Sequence, residues 1–572
     1  MKILLTPIIL GAILMILACG TQSEDQKFEQ LANNYIEKML RMNPAVATSL
    51  GDHRFDNLWN DYTMKGIQNS RKLDKTYLDS LNMMNPKKLS ETNRIDYQIL
   101  KHHLKYSIFY LDTLKEYEWN PLVYNFGDGI YPLIARDFAP LKDRLQNVKE
   151  RLRGIGAIIQ AAKTNLKNPP KVHTETAILQ NKGNLSLITT ELDQLLDEVP
   201  ELKDEFKPIQ DQAVVATREY GEWLENELLP RSTGNFRIGD EKYRRKLYYE
   251  LDSDMSKEDI LQSAENDLRE TRLALFETAL PLFQKYYPTV DAMQDQKEVI
   301  KVVLYKLAQD HPTNETIIDL AKEDVESTTE FVLENNIVTV PNEEVKIIVM
   351  PEFQRGVAVA YCDAPGPLES KKETFFAISP TPADWTPERV KSFFREYNDY
   401  MLQDLTIHEA MPGHYLQLAH SNQFKAPTMI RAIFSSGSFV EGWATYAEQI
   451  MAEMGYGGPE VKMEQLKMRL RLLINAIIDQ KIHTEGMTEQ EAMDMMMNEG
   501  FQEEGEAAGK WRRACLTSTQ LSTYYVGNME MNDIRERYTK KMGGDINLKT
   551  LHDTMLSFGS PAAKYVKQLM GL

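Results

Sequence analysis

Residues 174–202 read TETAILQNKGNLSLITTELDQLLDEVPEL, and the reading of this stretch sets the expectation for most of the chain. Its apolar residues recur at three- and four-residue spacing with charges between them, the pattern of a helix that buries one face. The same texture runs from Phe28 to Leu229. Pro169-Pro170, Pro200 and Pro208 punctuate it and read as helix junctions, because proline lacks the amide hydrogen that a helix interior needs. Residues 231–239 (RSTGNFRIG) are turn-rich. A boundary is placed there, between an N-terminal helical lobe over 20–230 and a C-terminal lobe over 231–572. Helical patterning resumes from Glu241 to Asn336.

The texture then changes. Ile337–Val340, Val345–Met350, Val357–Tyr361 and Thr374–Ile378 are short β-favouring runs separated by Pro, Gly, Asn and charged turns. They predict a small sheet of three or four strands within 337–378. Helical spacing returns at Pro387 and persists almost to Leu572, so the expected fold is mainly α with one small sheet.

Composition narrows the function classes. A chain of 572 residues is several times the size of one small core, in line with two lobes. With 42% hydrophobic and 26% charged residues it has the balance of a globular protein. The net charge of −18, with no basic stripe, argues against a nucleic-acid partner, since a phosphate backbone would be repelled.

The N-terminus carries a targeting signal. Met1-Lys2 precedes an apolar run from Ile3 to Ala18, interrupted only by Thr6, Pro7 and Gly11. That run is short for a membrane span and suits the apolar region of a signal peptide. It ends in Ala18-Cys19-Gly20, which resembles a bacterial lipoprotein processing site. Residues 1–19 are therefore read as a lipoprotein signal with Cys19 as the lipidated residue; the alternative is an ordinary signal peptide with an incidental cysteine. The expectation is an exported cell-envelope lipoprotein, on the outer membrane or facing the periplasm, that meets the membrane through its anchor only. Cys362 and Cys515 are the remaining cysteines, and their spacing does not say whether they pair.

The chemistry gathers just after the predicted sheet, in Leu405-Thr-Ile-His-Glu-Ala-Met-Pro-Gly-His-Tyr-Leu-Gln417. The common zinc helix sets two histidines at i and i+4 with a glutamate base beside the first. Here His408 and His414 are six apart, and six helical steps of about 100° would point the imidazoles in different directions. Pro412 and Gly413 supply the remedy, one removing a helical hydrogen bond and the other permitting backbone angles closed to other residues. A kink there would return His414 to His408. Downstream, Phe439-Val-Glu-Gly-Trp-Ala-Thr-Tyr-Ala-Glu448 reads as the start of a second helix. Its Glu441 completes a two-histidine, one-glutamate ligand set for one zinc ion, with a fourth position left for water. Glu448, seven residues on and on the same face, is either a partner of a ligand or a surface residue. The competing readings are a buried hydrogen-bonded His408–His414 pair, or His420 as ligand in place of His414.

The motifs HEAMPGHYLQ (408–417) and EGWATYAE (441–448) resemble the signature blocks of the bacterial "domain of unknown function" family 885. Residues 43–56, residues 234–239 with Tyr243 and Leu247, and residues 479–483 and 520–527 resemble further blocks of that family. Its members are commonly exported and often lipoproteins. The family is itself similar to the helical gluzincin zinc metallopeptidases, which implies a two-lobed, metallopeptidase-like helical fold with a deep cleft. The chain departs from the family pattern at Arg513-Ala514 and Ser518-Thr519-Gln520, where Arg-Tyr and Pro-Gly-Gln are usual. Those differences bear on substrate preference and leave the metal motifs intact.

The expected activity is peptide-bond hydrolysis. Glu409 is the predicted general base. His483 and Tyr524, with Tyr525 as substitute, are predicted to support the oxyanion. Arg513 is a candidate for a substrate carboxylate. The strand holding Phe376 is a candidate edge for main-chain pairing with a peptide. Two rivals share the same residues: a metal-dependent hydrolase of other amides or esters, and a surface protein that binds peptides without cutting them.

Overall fold

The computed structural model describes residues 22–290, 295–350, 359–371, 373–382 and 385–572. The predicted signal peptide and Cys19 lie outside the described residues. Among these, the fold is helical throughout apart from one three-stranded sheet.

The stretch at 174–202 folds as a helix over Lys171–Ser186, a wider turn over Leu187–Glu191 and a helix over Leu192–Glu198. Ala177, Ile178, Leu187, Ile188, Leu192 and Leu196 point into one core with the helices Leu141–Asn165 and Lys203–Trp223. Pro170 caps the first of these helices and Pro200 opens a short turn, as expected of junctions. Pro208 is a correction, since it lies inside Lys203–Trp223. It is tolerated because it is exposed, where water can serve the carbonyl that loses its donor.

The N-terminal helices Glu24–Met42, Met64–Asn82 and Glu91–Phe109 share a core with Ile430, Ala562 and Tyr565 from beyond the break at 231. A buried polar tie reinforces that junction. Asp96 accepts from Arg431 Nε and Thr428 Oγ1, both at 2.6 Å. A second core surrounds the helix Gly458–Glu485, whose buried residues fall on every side and leave little amphipathic pattern to read. Lys467 and Arg471 of this helix are buried with charge intact because both reach Glu396.

Strands β1 (Val345–Val349), β2 (Ala360–Asp363) and β3 (Thr374–Ile378) form the sheet in the order β1-β3-β2, with β1 parallel and β2 antiparallel to β3. Ile337–Val340, predicted as a strand, is none. Ile337 and Val338 sit in a core instead, with the Ile337 carbonyl on His552 Nδ1 and the Thr339 amide on Asp553. The predicted edge strand is also corrected. β3 is the middle strand, paired on both sides, and Phe376 is wholly buried, so it cannot meet a peptide. Phe376 and Ile378 pack with Met401, Leu402 and Leu405, which seats the helix Asp399–Glu409 against the sheet.

Candidate metal centre

The helix Asp399–Glu409 begins at Asn398, whose side chain accepts from the amides of Tyr400 and Met401. His408 and Glu409 are its last two residues. The chain then turns through Ala410, the cis Met411–Pro412 peptide and Gly413, and a new helix, His414–Gln423, starts at the second histidine. Gly413 is required here by packing. A Cβ at this position would lie 1.9 Å from the His408 carbonyl oxygen and 2.3 Å from that of Ile407, and the Gly413 amide bonds that Ile407 oxygen at 2.9 Å. Trp443 Nε1 donates to the Pro412 carbonyl at 2.8 Å and braces the turn from the next helix. The two imidazoles are thereby returned to one another, perpendicular and 4.7 Å apart between centroids.

The helix Gly437–Glu453 supplies the carboxylates. Glu441 Oε2 stands 3.6 Å from His408 Nε2 and 3.4 Å from His414 Nε2. His408, His414 and Glu441 are the metal-ligand group found among the described residues, their ligand atoms all within 4.8 Å of one another. Two observations test whether they fit an ion. Glu441 Oε2 is buried yet makes no hydrogen bond, and its gaps to the two nitrogens match the ~3.3 Å span between ligand atoms held about 2.0–2.1 Å from tetrahedral zinc. The donor set, two imidazoles and a carboxylate, is also one that zinc takes with a position to spare. The residues fit. Burial would raise the Glu441 carboxyl, but the His408 and His414 imidazoles beside it hold it well below the usual carboxylate range.

Glu448 is no surface residue. It is buried, and its Oε1 lies 2.5 Å from His408 Nδ1, which fixes the ring with Nε2 toward the cluster. Asp404, one turn before His408, is fully buried, and burial with the neighbouring Glu448 charge pushes its carboxyl well above the ordinary range. Glu409 is half-buried, and its Oε2 accepts the Cys362 amide of β2 at 2.9 Å. That amide therefore turns away from β3, and β2 is the edge strand beside Glu409.

The remaining predicted residues divide. Tyr524, on the helix Ser522–Met542, belongs to the site's surroundings: Gly527 of that helix meets Gly442 backbone to backbone, which sets Tyr524 near Glu441. Burial and the Glu441 charge raise the Tyr524 phenol, so it stays a donor. Arg513, from Glu504–Leu516, donates through Nη2 to Tyr524 Oη at 3.0 Å and to Gln520 Oε1 at 2.9 Å.

His483 is not brought to the cluster. It is buried against Tyr243 and Phe236 with Nε2 2.9 Å from the Ala514 carbonyl, and burial depresses its pKa. Tyr525 is fully buried and donates to Asp267. His420 is paired with the Thr339 carbonyl and is no member of the ligand group. Cys362 and Cys515 are both free thiols. Sequence reasoning missed Lys510, whose one-turn spacing from Arg513 was the available signal.

Fold and site together define a mainly helical protein with a buried two-histidine, one-glutamate cluster and a glutamate beside it. The chain belongs to a bacterial family described as "bacterial protein of unknown function (DUF885)", whose model matches residues 44–570. It is similar to a protein of solved structure from Shewanella oneidensis, described as a "putative lipoprotein of unknown function", at 34% identity over 95% of this chain and 100% of that one, with a TM-score of 0.81. A "putative lipoprotein" from Colwellia psychrerythraea shares the fold at 17% identity, covering 96% of this chain and 99% of that one, with a TM-score of 0.78. No curated protein matches the chain.

Proposed function

We propose that the chain is an exported, lipid-anchored, zinc-dependent hydrolase that cleaves peptide bonds, in the manner of the two-lobed helical gluzincins. The observation that carries this reading is the convergence of His408 Nε2, His414 Nε2 and Glu441 Oε2 on one point, without good hydrogen bonds among them and with Glu409 adjacent. Envelope attachment is supported by the Ala18-Cys19 segment and by the description of the Shewanella and Colwellia relatives. No helix among the described residues is long and apolar enough to cross a membrane.

His408, His414 and Glu441 would hold the ion, which supplies a Lewis acid for a carbonyl and acidifies a water. Glu409 would act as the general base, taking a proton from the attacking water and returning it to the leaving amine. Its Cys362 partner keeps one carboxylate oxygen oriented. The Tyr524 hydroxyl donates to the developing oxyanion. The outer edge of β2, whose Cys362 amide Glu409 takes, is the strand edge where an extended peptide would pair next to Glu409.

Glu409→Gln tests the reading, because it keeps the side chain's size and removes its basicity. Zinc content should stay at one ion per chain, while turnover of a cleaved peptide drops at least ~10²-fold, the low end for a positioned acid–base group. Near-normal turnover with zinc bound would sink the mechanism. Loss of zinc would mean that Glu409 is a ligand.

A further inference from the structure

The helix Glu504–Leu516 presents two cations one turn apart, Lys510 and Arg513, and neither has a carboxylate to itself. The Lys510 side chain is only 10% exposed. Its Nζ makes no hydrogen bond among the described residues, and its nearest acid is Glu506 at 3.9 Å, the outer limit of an ion pair. Glu506 is itself engaged by Tyr397 at 3.0 Å and Arg471 at 3.7 Å. Arg513 spends its Nη2 on two neutral oxygens, those of Tyr524 and Gln520, and has no acidic partner among the described residues. Half-buried cations left short of counter-charge are costly unless an anion is to be met there.

Their position says which anion. Arg513 donates to Tyr524 at 3.0 Å, and Gly527, one turn on from Tyr524, meets Gly442, the neighbour of Glu441, backbone to backbone. The charge of Glu441 is felt at Lys510, Arg513 and Tyr524 alike. We propose that Lys510 and Arg513 form a carboxylate site beside the metal centre, and that it takes the free C-terminus of a short peptide. The planar fork of Arg513 suits a carboxylate, and Lys510 adds a compact second charge. This rests on the peptidase reading and turns it into a carboxy-directed peptidase, for which chain length beyond the terminus matters less than the terminus itself.

One short peptide made in three forms tests it: free acid, C-terminal amide, and amide with a terminal glutamate. The free acid should be cleaved at least ~10-fold more efficiently in kcat/KM than the amide, the scale of one charge-assisted hydrogen bond. Lys510→Met should collapse that acid-to-amide ratio chiefly through KM, and Lys510→Arg should restore most of it. Equal cleavage of acid and amide would overturn the proposal, as would an unchanged ratio in Lys510→Met. Restoration of cleavage by the glutamate amide would overturn the terminal assignment, giving the site to side-chain carboxylates. Calorimetry with zinc-loaded Glu409→Gln separates this from the peptidase reading. If the wild-type chain cut no peptide, acid-selective binding that depends on Lys510 would leave the carboxylate site standing without the peptidase. Equal affinity for acid and amide would remove the site whatever the turnover.

Discussion

Glu448 is not among the three proposed ligands, yet on the proposed reading it should govern how tightly zinc is held. It is buried and bonded to His408 Nδ1, so it sets the tautomer and the basicity of a ligand. Glu448→Ala should leave the fold intact and weaken zinc binding ~10–100-fold, measured by competition with a chelator of known affinity. An unchanged affinity would mean that the ring is held by packing alone. Lys510 yields a prediction in pH. Burial pushes its ammonium down to about 8, against the pull of Glu506 on its own helix and Glu441 on Gly437–Glu453, with Arg513 and Arg471 also opposing the charge. The cation exists below that value and is lost above it. The acid-to-amide preference should therefore be full near pH 7 and decline as pH rises through about 8. Comparing the two peptide forms at each pH cancels titrations common to both, and a flat ratio between pH 6.5 and 9.5 would show that Lys510 does not meet the carboxylate.

At the scale of the element, the broken helix is the device that makes two histidines six apart into neighbours. Its geometry leaves no room at Gly413, where a Cβ would lie 1.9 Å from the His408 carbonyl oxygen. Gly413→Ala must push either that carbonyl or the start of the second helix aside. We expect a loss of about 1–3 kcal/mol in stability, typical of overpacking, together with at least ~10-fold weaker zinc binding. Thermal unfolding with and without zinc measures both. Zinc affinity at the wild-type level would show that the turn is looser than its packing implies. Trp443 belongs to the same device, because its indole holds the Pro412 carbonyl from the helix that also bears Glu441 and Glu448.

At the scale of the whole molecule, the N-terminal helices are tied to the C-terminal half by the buried Asp96–Arg431–Thr428 group. Arg431→Met keeps the volume and leaves Asp96 without its ionic partner. Breaking a buried pair in this way costs about 3–5 kcal/mol. The variant should unfold at clearly lower denaturant concentration while its zinc affinity is retained, since none of the three residues touches the cluster. A midpoint equal to the wild-type value would remove this tie from the account of how the halves are joined.

Much of this was legible from the chain itself. Three- and four-residue apolar spacing identified the helices because a helix half-exposed to water must segregate its faces. The two ligand motifs were readable because the residue types and the Pro-Gly break are local, and local chemistry survives in sequence. The partners of those motifs were not. That Glu448 faces His408, that β2 and not β3 borders Glu409, and that His483 turns toward Tyr243 follow from how helices and strands cross. The helix Gly458–Glu485 was legible as a helix but is buried on many sides, so its sequence could not say which face meets which core. Ile337–Val340 favours a strand by residue type yet bonds His552 and Asp553 instead. Sequence determined which side chains could bind a metal; the tertiary structure decided which of them meet, because contacts between residues 27 or 40 apart (His414–Glu441, His408–Glu448) are properties of packing and leave no local trace.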